Sequence, residues 1–239
     1  MGKTTLKDFG WSVFLRTVAW NTLHNTAAAL GWGLASYRKP SRLGGLRSIR
    51  NLKRRRDLVI TPLEAMQLVA LVRATAKLGG SMAEIGVYAG GSARLIRESD
   101  ATRPLHLFDT FTGLPELADA DTPVRCDLFR EGQYACSLED VRRYMRDCQK
   151  VYFHQGLFPG TSATVQNERF SFVHSDVDLY SSTRAVLEFF YPRMLPGGII
   201  LSHDFDSAPG VHEAFVEYFN DLPEPVIELG GDQGMIVKL

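Results

Sequence analysis

From residue 81 to the end of the chain, short apolar and β-branched runs alternate with helical patterns, and this alternation restricts the fold to a layered α/β sheet. Strands are expected at Ser81–Gly86, Pro104–Asp109, Val151–Gln155, Phe170–Asp176, Gly198–His203, Pro225–Glu228 and Met235–Leu239. Helices are expected at Gly91–Ser99, Ser137–Cys148, Ser181–Tyr191 and Gly210–Asn220. Ahead of them, Thr61-Pro62-Leu63-Glu64 has the form of a capping box with proline at the first helical position. That helix is expected to run to about Leu78 and stop at Gly79-Gly80. The pattern predicts a doubly wound, seven-stranded, mostly parallel Rossmann-like sheet whose last two strands form an antiparallel edge.

Charge divides the 239 residues unevenly. Residues 1–57 carry twelve Lys/Arg against two acids, whereas 58–239 carry 15 against 25. We therefore expect a basic N-terminal helical appendage, 1–57, on an acidic body, 58–239. Within the appendage, Trp11, Phe14, Leu15, Val18, Ala19 and Leu23 follow helical spacing. Such a stripe packs on the body or on a second subunit, giving a homo-oligomer, or it makes peripheral membrane contact. The run Lys53-Arg54-Arg55-Arg56 reads as a solvated face, since no interleaved aromatics point to nucleic acid. No apolar run reaches the ~20 residues of a spanning helix. Three cysteines without metal-type spacing suggest free thiols and a cytoplasmic location.

The chemistry is expected at the carboxyl ends of the strands, where such sheets bind ligands. The turn Glu84-Ile85-Gly86-Val87-Tyr88-Ala89-Gly90-Gly91-Ser92 resembles a nucleotide-binding turn in outline only. Tyr88 stands where a dinucleotide site needs its second glycine, and Glu84 would repel a phosphate. An acid there suits a cationic ligand such as the sulfonium or ammonium of S-adenosylmethionine (SAM). Asp109 closes a strand 23 residues after Gly86, where an acid accepts hydrogen bonds from ribose hydroxyls. Cofactor candidates are thus Glu84, Gly86, Tyr88, Gly90, Ser92, Asp109, Thr110 and Phe111.

Asp176, His203 and Asp204 end two further strands and are the metal-ligand candidates, for Mg²⁺ or another divalent cation. Asp176 and Asp204 also suit helix caps. His203 suits a general base, a nitrogen ligand that shifts preference toward softer ions, or a buried hydrogen-bonded histidine. Asp176 and His203 are the catalytic candidates. The 110–136 connection is far longer than the ~2–6 residues usual in such sheets. We expect it to form a lid or substrate wall with Phe111, Leu114, Phe129, Tyr134, Asp119, Asp121 and Glu131. Gly230-Gly231-Asp232-Gln233-Gly234 is a second turn at the same edge, or a plain hairpin.

In order, Ala83–Ser92, Phe108-Asp109-Thr110-Phe111-Thr112-Gly113-Leu114-Pro115, Gly156–Thr161, Ser175-Asp176-Val177-Asp178-Leu179-Tyr180-Ser181-Ser182-Thr183 and Pro196–Phe205 resemble the macrocin O-methyltransferase family. The resemblance covers about residues 58–239. It implies a class I SAM-dependent methyltransferase fold, with SAM at the Glu84 turn and Asp109. It also implies a metal held at Asp176 and the His203-Asp204 pair, although the family often has two acids at that pair. The acceptor implied is a hydroxyl of a sugar or other polyhydroxylated small molecule. The alternative is a non-catalytic scaffold of the same fold, docking through its basic arm.

Overall fold

In the computed structural model of the chain, the described residues are 15, 18, 19, 22, 23, 25, 26, 49–118, 121 and 129–239. The chain divides into two units, Met1–Leu43 and Gly44–Leu239. In the first, the seven described residues are helical, with Leu15, Val18 and Leu23 exposed. Ala19 of the expected amphipathic stripe is exposed too, and its Trp11 and Phe14 lie outside the described residues. Among the described residues no helix is long and apolar enough to cross a membrane.

The second unit is built on a seven-stranded sheet. Its strands are β1 (Ser81–Ile85), β2 (Leu105–Asp109), β3 (Val151–Gln155), β4 (Phe170–Ser175), β5 (Met194–His203), β6 (Ile227–Glu228) and β7 (Gln233–Val237). The spatial order is β3-β2-β1-β4-β5-β7-β6. Pairing is parallel from β3 to β5 and antiparallel for β5–β7 and β6–β7, as the alternation predicts. The helices are α1 (Pro62–Thr75), α2 (Gly91–Ser99), α3 (Leu138–Tyr144), α4 (Tyr180–Phe190) and α5 (Pro209–Phe219). β1 and β4 are buried along their whole length, the mark of strands covered on both faces. One core joins Met82, Leu107 and Phe172 of the sheet to Leu68 of α1 and Ile96 of α2. The other joins Ala83, Phe108 and Val173 to Phe190 of α4 and Phe215 of α5.

The capping box at α1 is present. Glu64 N donates to Thr61 Oγ1 at 3.3 Å, and Thr61 N donates to Glu64 Oε2 at 2.6 Å. Several boundaries differ from expectation: α3 ends at Tyr144 rather than Cys148, β7 spans Gln233–Val237 rather than Met235–Leu239, and two further differences have a clear physical reason. β5 starts at Met194 rather than Gly198, because Pro196-Gly197 is absorbed in an irregularity: Phe170 faces Met194 but Phe172 faces Ile199. Proline lacks the ladder donor, and Gly197 sits at φ +80, so the extra residues loop out without ending the strand. The body also begins earlier than residue 58. Ile49 and Leu52 of the helical stretch 49–55 are 0% and 6% exposed in the first core, so this stretch belongs with the sheet. Lys53, Arg54 and Arg55 are exposed, in keeping with a solvated face.

Candidate active site

A cavity of about 1050 Å³, open solvent at its mouth included, lies at the carboxyl ends of the strands. Its floor takes Ile85-Gly86 at the end of β1, Asp109 at the end of β2, Gly156 after β3, Asp176 after β4, and His203-Asp204 at the end of β5. It therefore straddles the point where β1 has β2 on one side and β4 on the other, the switch point at which open α/β sheets bind ligands. Tyr88, Tyr134, Asp178 and Asp204 line it with φ between 46° and 62°. Non-glycine residues are rarely held there, and such strain concentrates at functional sites.

The first turn is shaped from both sides. At Gly86, with φ +84, a Cβ would strike the Asp176 carbonyl, so only glycine permits the approach of β4. Asp109 Oδ2 accepts from Val87 N at 2.6 Å and Tyr88 N at 2.9 Å, while Oδ1 accepts from Phe111 N at 2.6 Å. Asp109 thus lines the cavity and also braces the turn, with three backbone N–H groups on its two oxygens and the Thr110 hydroxyl 3.4 Å from Oδ1. Gly86, Tyr88, Ser92, Asp109 and Thr110 all line the cavity.

Three cofactor candidates do not line it. Register places Glu84 opposite His174 on β4. His174 Nδ1 and Glu84 Oε1 lie 2.9 Å apart, within hydrogen-bond distance, with both side chains 0% exposed. Burial raises the Glu84 pKa against the opposing pull of His174. Glu84 is therefore an interior group, and it does not wall the site as the sequence suggested. Gly90 supplies the left-handed N-cap of α2. Phe111 packs into the first core, 5% exposed.

Asp176, His203 and Asp204 converge, each offering one ligand atom within 4.8 Å of the others. His203 Nδ1 is 3.2 Å from Asp176 Oδ1 and 3.0 Å from Asp204 Oδ2. Its Nε2 lies 3.7 Å from Glu64 Oε2. Burial alone would lower the His203 pKa, but Asp176, Asp204 and Glu64 together raise it. Burial would raise the Glu64 pKa, yet His203 and the N–H groups of Asp232 and Thr61 hold it at about 2. One imidazole nitrogen thus faces the two aspartates and the other faces Glu64. A general-base role for His203, expected from sequence, would need one ring nitrogen to give up its carboxylate neighbour, and ligation of a cation would need the same. The donor set of two carboxylates and one imidazole suits a divalent cation.

Several contributors were not assigned from sequence. Asp178 lines the cavity beside this trio, and burial, then Asp176 and Asp204, push its pKa well above the usual carboxylate range. Asp57, Leu58, Val59 and Ile60 form a further wall before α1. Of the long connection, Leu114 and Tyr134 line the cavity, and Tyr134 packs edge-on against Tyr88 at 5.7 Å. Phe129 packs on the second core instead. Asp121 accepts from Ser181 N at 3.1 Å, at the start of α4, and Asp119 lies outside the described residues. The Gly230–Gly234 stretch is a hairpin turn closed by Leu229 N to Gln233 O at 2.8 Å. Cys136 and Cys148 are free thiols.

Comparison with known proteins agrees with this geometry. The family described as Macrocin-O-methyltransferase (TylF) matches residues 63–233. The chain is 32% identical over 167 residues to 8-demethyl-8-(2,3-dimethoxy-alpha-L-rhamnosyl)-tetracenomycin-C 4'-O-methyltransferase of Streptomyces olivaceus, covering 64% of this chain and 63% of that one. It is 32% identical over 153 residues to Mycinamicin III 3''-O-methyltransferase of Micromonospora griseorubida, covering 58% and 60%. The matched stretch is thus under two thirds of either relative's length. The fold resembles the O-methyltransferase NovP, with TM-score 0.63, 23% identity and coverage of 76% of this chain and 81% of that one. It also resembles the calicheamicin methyltransferase CalS11, with TM-score 0.62, 20% identity and coverage of 84% and 94%. With the family matched across more than half its length and a sheet of this topology beneath the match, the chain belongs to the macrocin O-methyltransferase family.

Proposed function

We propose that the protein transfers a methyl group from SAM to a hydroxyl of a sugar or similarly polyhydroxylated small molecule. The observation that carries this reading is one cavity holding both halves of such a site. The Gly86–Ser92 turn with Asp109 stands at one end, and Asp176, His203 and Asp204 stand at the other. Family membership supports SAM as donor, and both relatives are named as O-methyltransferases, the first of a rhamnosyl-bearing compound. The scaffold alternative draws no support from them.

SAM supplies an electrophilic methyl on a sulfonium. The oxygen–carbon bond forms as the sulfur–carbon bond breaks, and the hydroxyl proton must leave. The cavity-facing carboxyls that could accept that proton are Asp176 and Asp178; Asp178 does so only in its ionised form, which burial and the Asp176 and Asp204 charges disfavour. Asp176, His203 and Asp204 would hold a divalent cation, which polarises a coordinated hydroxyl and lowers its pKa. Glu64, facing His203 Nε2, fixes the ring so that Nδ1 points at the two aspartates. Alignment of oxygen and methyl supplies most of the acceleration, since the donor is already reactive. Tyr88, Tyr134 and Leu114 cover the cavity and limit water.

The test is S-adenosylhomocysteine release from SAM with a panel of glycosides as acceptors. Release that is suppressed by EDTA and by Asp204→Ala, and reduced about a hundredfold by Asp178→Asn, matches these roles. Full activity of Asp178→Asn leaves Asp176 as the proton acceptor, and activity indifferent to EDTA removes the metal.

A further inference from the structure

The Gly86–Gly91 turn carries three positive-φ residues in six, Gly86, Tyr88 and Gly90, and at Tyr88 the conformation is one that a non-glycine rarely adopts. A conformation of that kind persists only where its surroundings over-determine it. Asp109 supplies one constraint by accepting from Val87 N and Tyr88 N. The complementary constraint comes from the basic run that composition alone leaves as a solvated face. Arg56 Nε donates to Ala89 O at 2.6 Å. That carbonyl precedes the N-cap residue of α2, and Arg56 gives it a charged donor. Arg56 Nη2 donates to Cys136 Sγ at 3.1 Å, and the guanidinium stacks over the Tyr144 ring at 5.4 Å.

These three contacts join separate parts of the site. Ala89 belongs to the turn, Tyr144 to α3, and Cys136 stands two residues after Tyr134, which packs against Tyr88. Arg56 also begins the stretch whose next four residues, Asp57–Ile60, wall the cavity. Asp57 Oδ2 accepts from Tyr88 Oη at 3.4 Å, so the same stretch touches the turn twice. The guanidinium is suited to this because its planar fork donates in two directions while its face stacks; an ammonium donates from one point.

We propose that Arg56 is a positioning residue for the donor-binding turn, acting opposite Asp109, so that an acid on its N–H groups and a base on its carbonyl hold one conformation. This rests on the SAM reading above. Arg56 does not line the cavity, so its effect on the donor runs through the turn.

The experiment is calorimetric titration of SAM into the full chain carrying Arg56→Met or Arg56→Lys. The unfolding midpoint and the KM for SAM and for acceptor are measured alongside. Loss of a charge-assisted hydrogen bond predicts SAM binding weakened about tenfold in Arg56→Met, at a temperature where the variant is fully folded. KM for SAM rises in step, while KM for the acceptor stays within twofold. Arg56→Lys keeps the charge but loses the fork, and falls between parent and Arg56→Met. If Arg56→Met does not fold, Arg56→Lys alone decides, by weakening SAM binding at least threefold or not. Parental affinity in the deciding variant, or equal losses for SAM and acceptor, overturns the proposal. A parent that binds no SAM overturns the cofactor reading itself, and this proposal with it.

Discussion

Replacing Asp109 by Asn removes one acceptor oxygen where three backbone N–H groups converge. In the structure Oδ2 serves Val87 and Tyr88, and Oδ1 serves Phe111. An amide keeps one oxygen and gains two donors. If that oxygen faces Val87 and Tyr88, the new NH₂ points at Phe111 N. If it turns the other way, two donors of the turn are opposed instead. The carboxylate bonds are charge-assisted, each contributing about 1.5–3 kcal/mol. Losing one and weakening the others therefore costs about 2–4 kcal/mol. For a domain of this size, that is a fall of about 5–15 °C in the unfolding midpoint. Urea unfolding of parent and Asp109→Asn at pH 7.5, checked by calorimetric melting, reads the change directly. A difference below about 0.5 kcal/mol, the range of ordinary surface substitutions, would show that Asp109 does not brace the turn. Its role would then reduce to ligand contact alone.

Gly86→Ala should fail to fold or melt far below the parent, since the residue sits at φ +84 and its Cβ would meet the Asp176 carbonyl; a soluble variant with parental melting refutes the close approach. Truncating one partner of the Glu84–His174 pair, as in His174→Ala, should cost about 1–3 kcal/mol in urea unfolding, because it leaves a fully buried carboxyl without its hydrogen-bond partner. A cost under about 1 kcal/mol, that of a typical point substitution, contradicts the pairing. On the far side of the sheet, His106 Nδ1 and His154 Nε2 lie 3.0 Å apart, with Glu168 on the other nitrogen of His106 and Thr164 on the other nitrogen of His154. Burial lowers both pKa values, that of His154 from the ordinary 6.5 to about 4, and Glu168 only partly opposes this. The folded chain thus binds fewer protons than the unfolded one between these limits. The contribution of these two histidines should be full above pH 6.5 and be lost toward pH 4, and His154→Gln should flatten that part of the slope; a parental slope in that variant places its origin elsewhere.

The strands and helices were legible because their signals are local: period, glycine stops and the Thr61–Glu64 capping box. The convergence of Asp109, Asp176 and Asp204 was legible too, because a parallel sheet gathers its strand ends at one edge. Partner choice inside that edge was not. Glu84 reads as a ligand wall until the register of β1 on β4 sets it against His174. His203 reads as an isolated strand-end residue until the fold sets Glu64, from a helix start far back in the chain, 3.7 Å from its second nitrogen. Arg56 is indistinguishable from Arg54 and Arg55 in sequence, and only its place beside Ala89 and Cys136 separates it from them. Asp178 shows no more than Asp176 does in a motif, yet its left-handed backbone turns it to the cavity beside the trio. Each of these depends on a contact distant in sequence, which local pattern does not encode.

Whether the cavity at the strand ends holds SAM is decided by equilibrium dialysis of the radiolabelled compound against the purified full chain. The expected result is saturable binding of one SAM per chain, displaced by S-adenosylhomocysteine and left in place by NAD. No saturable binding at millimolar SAM, or displacement by NAD instead, would contradict the donor site built on Gly86, Tyr88 and Asp109.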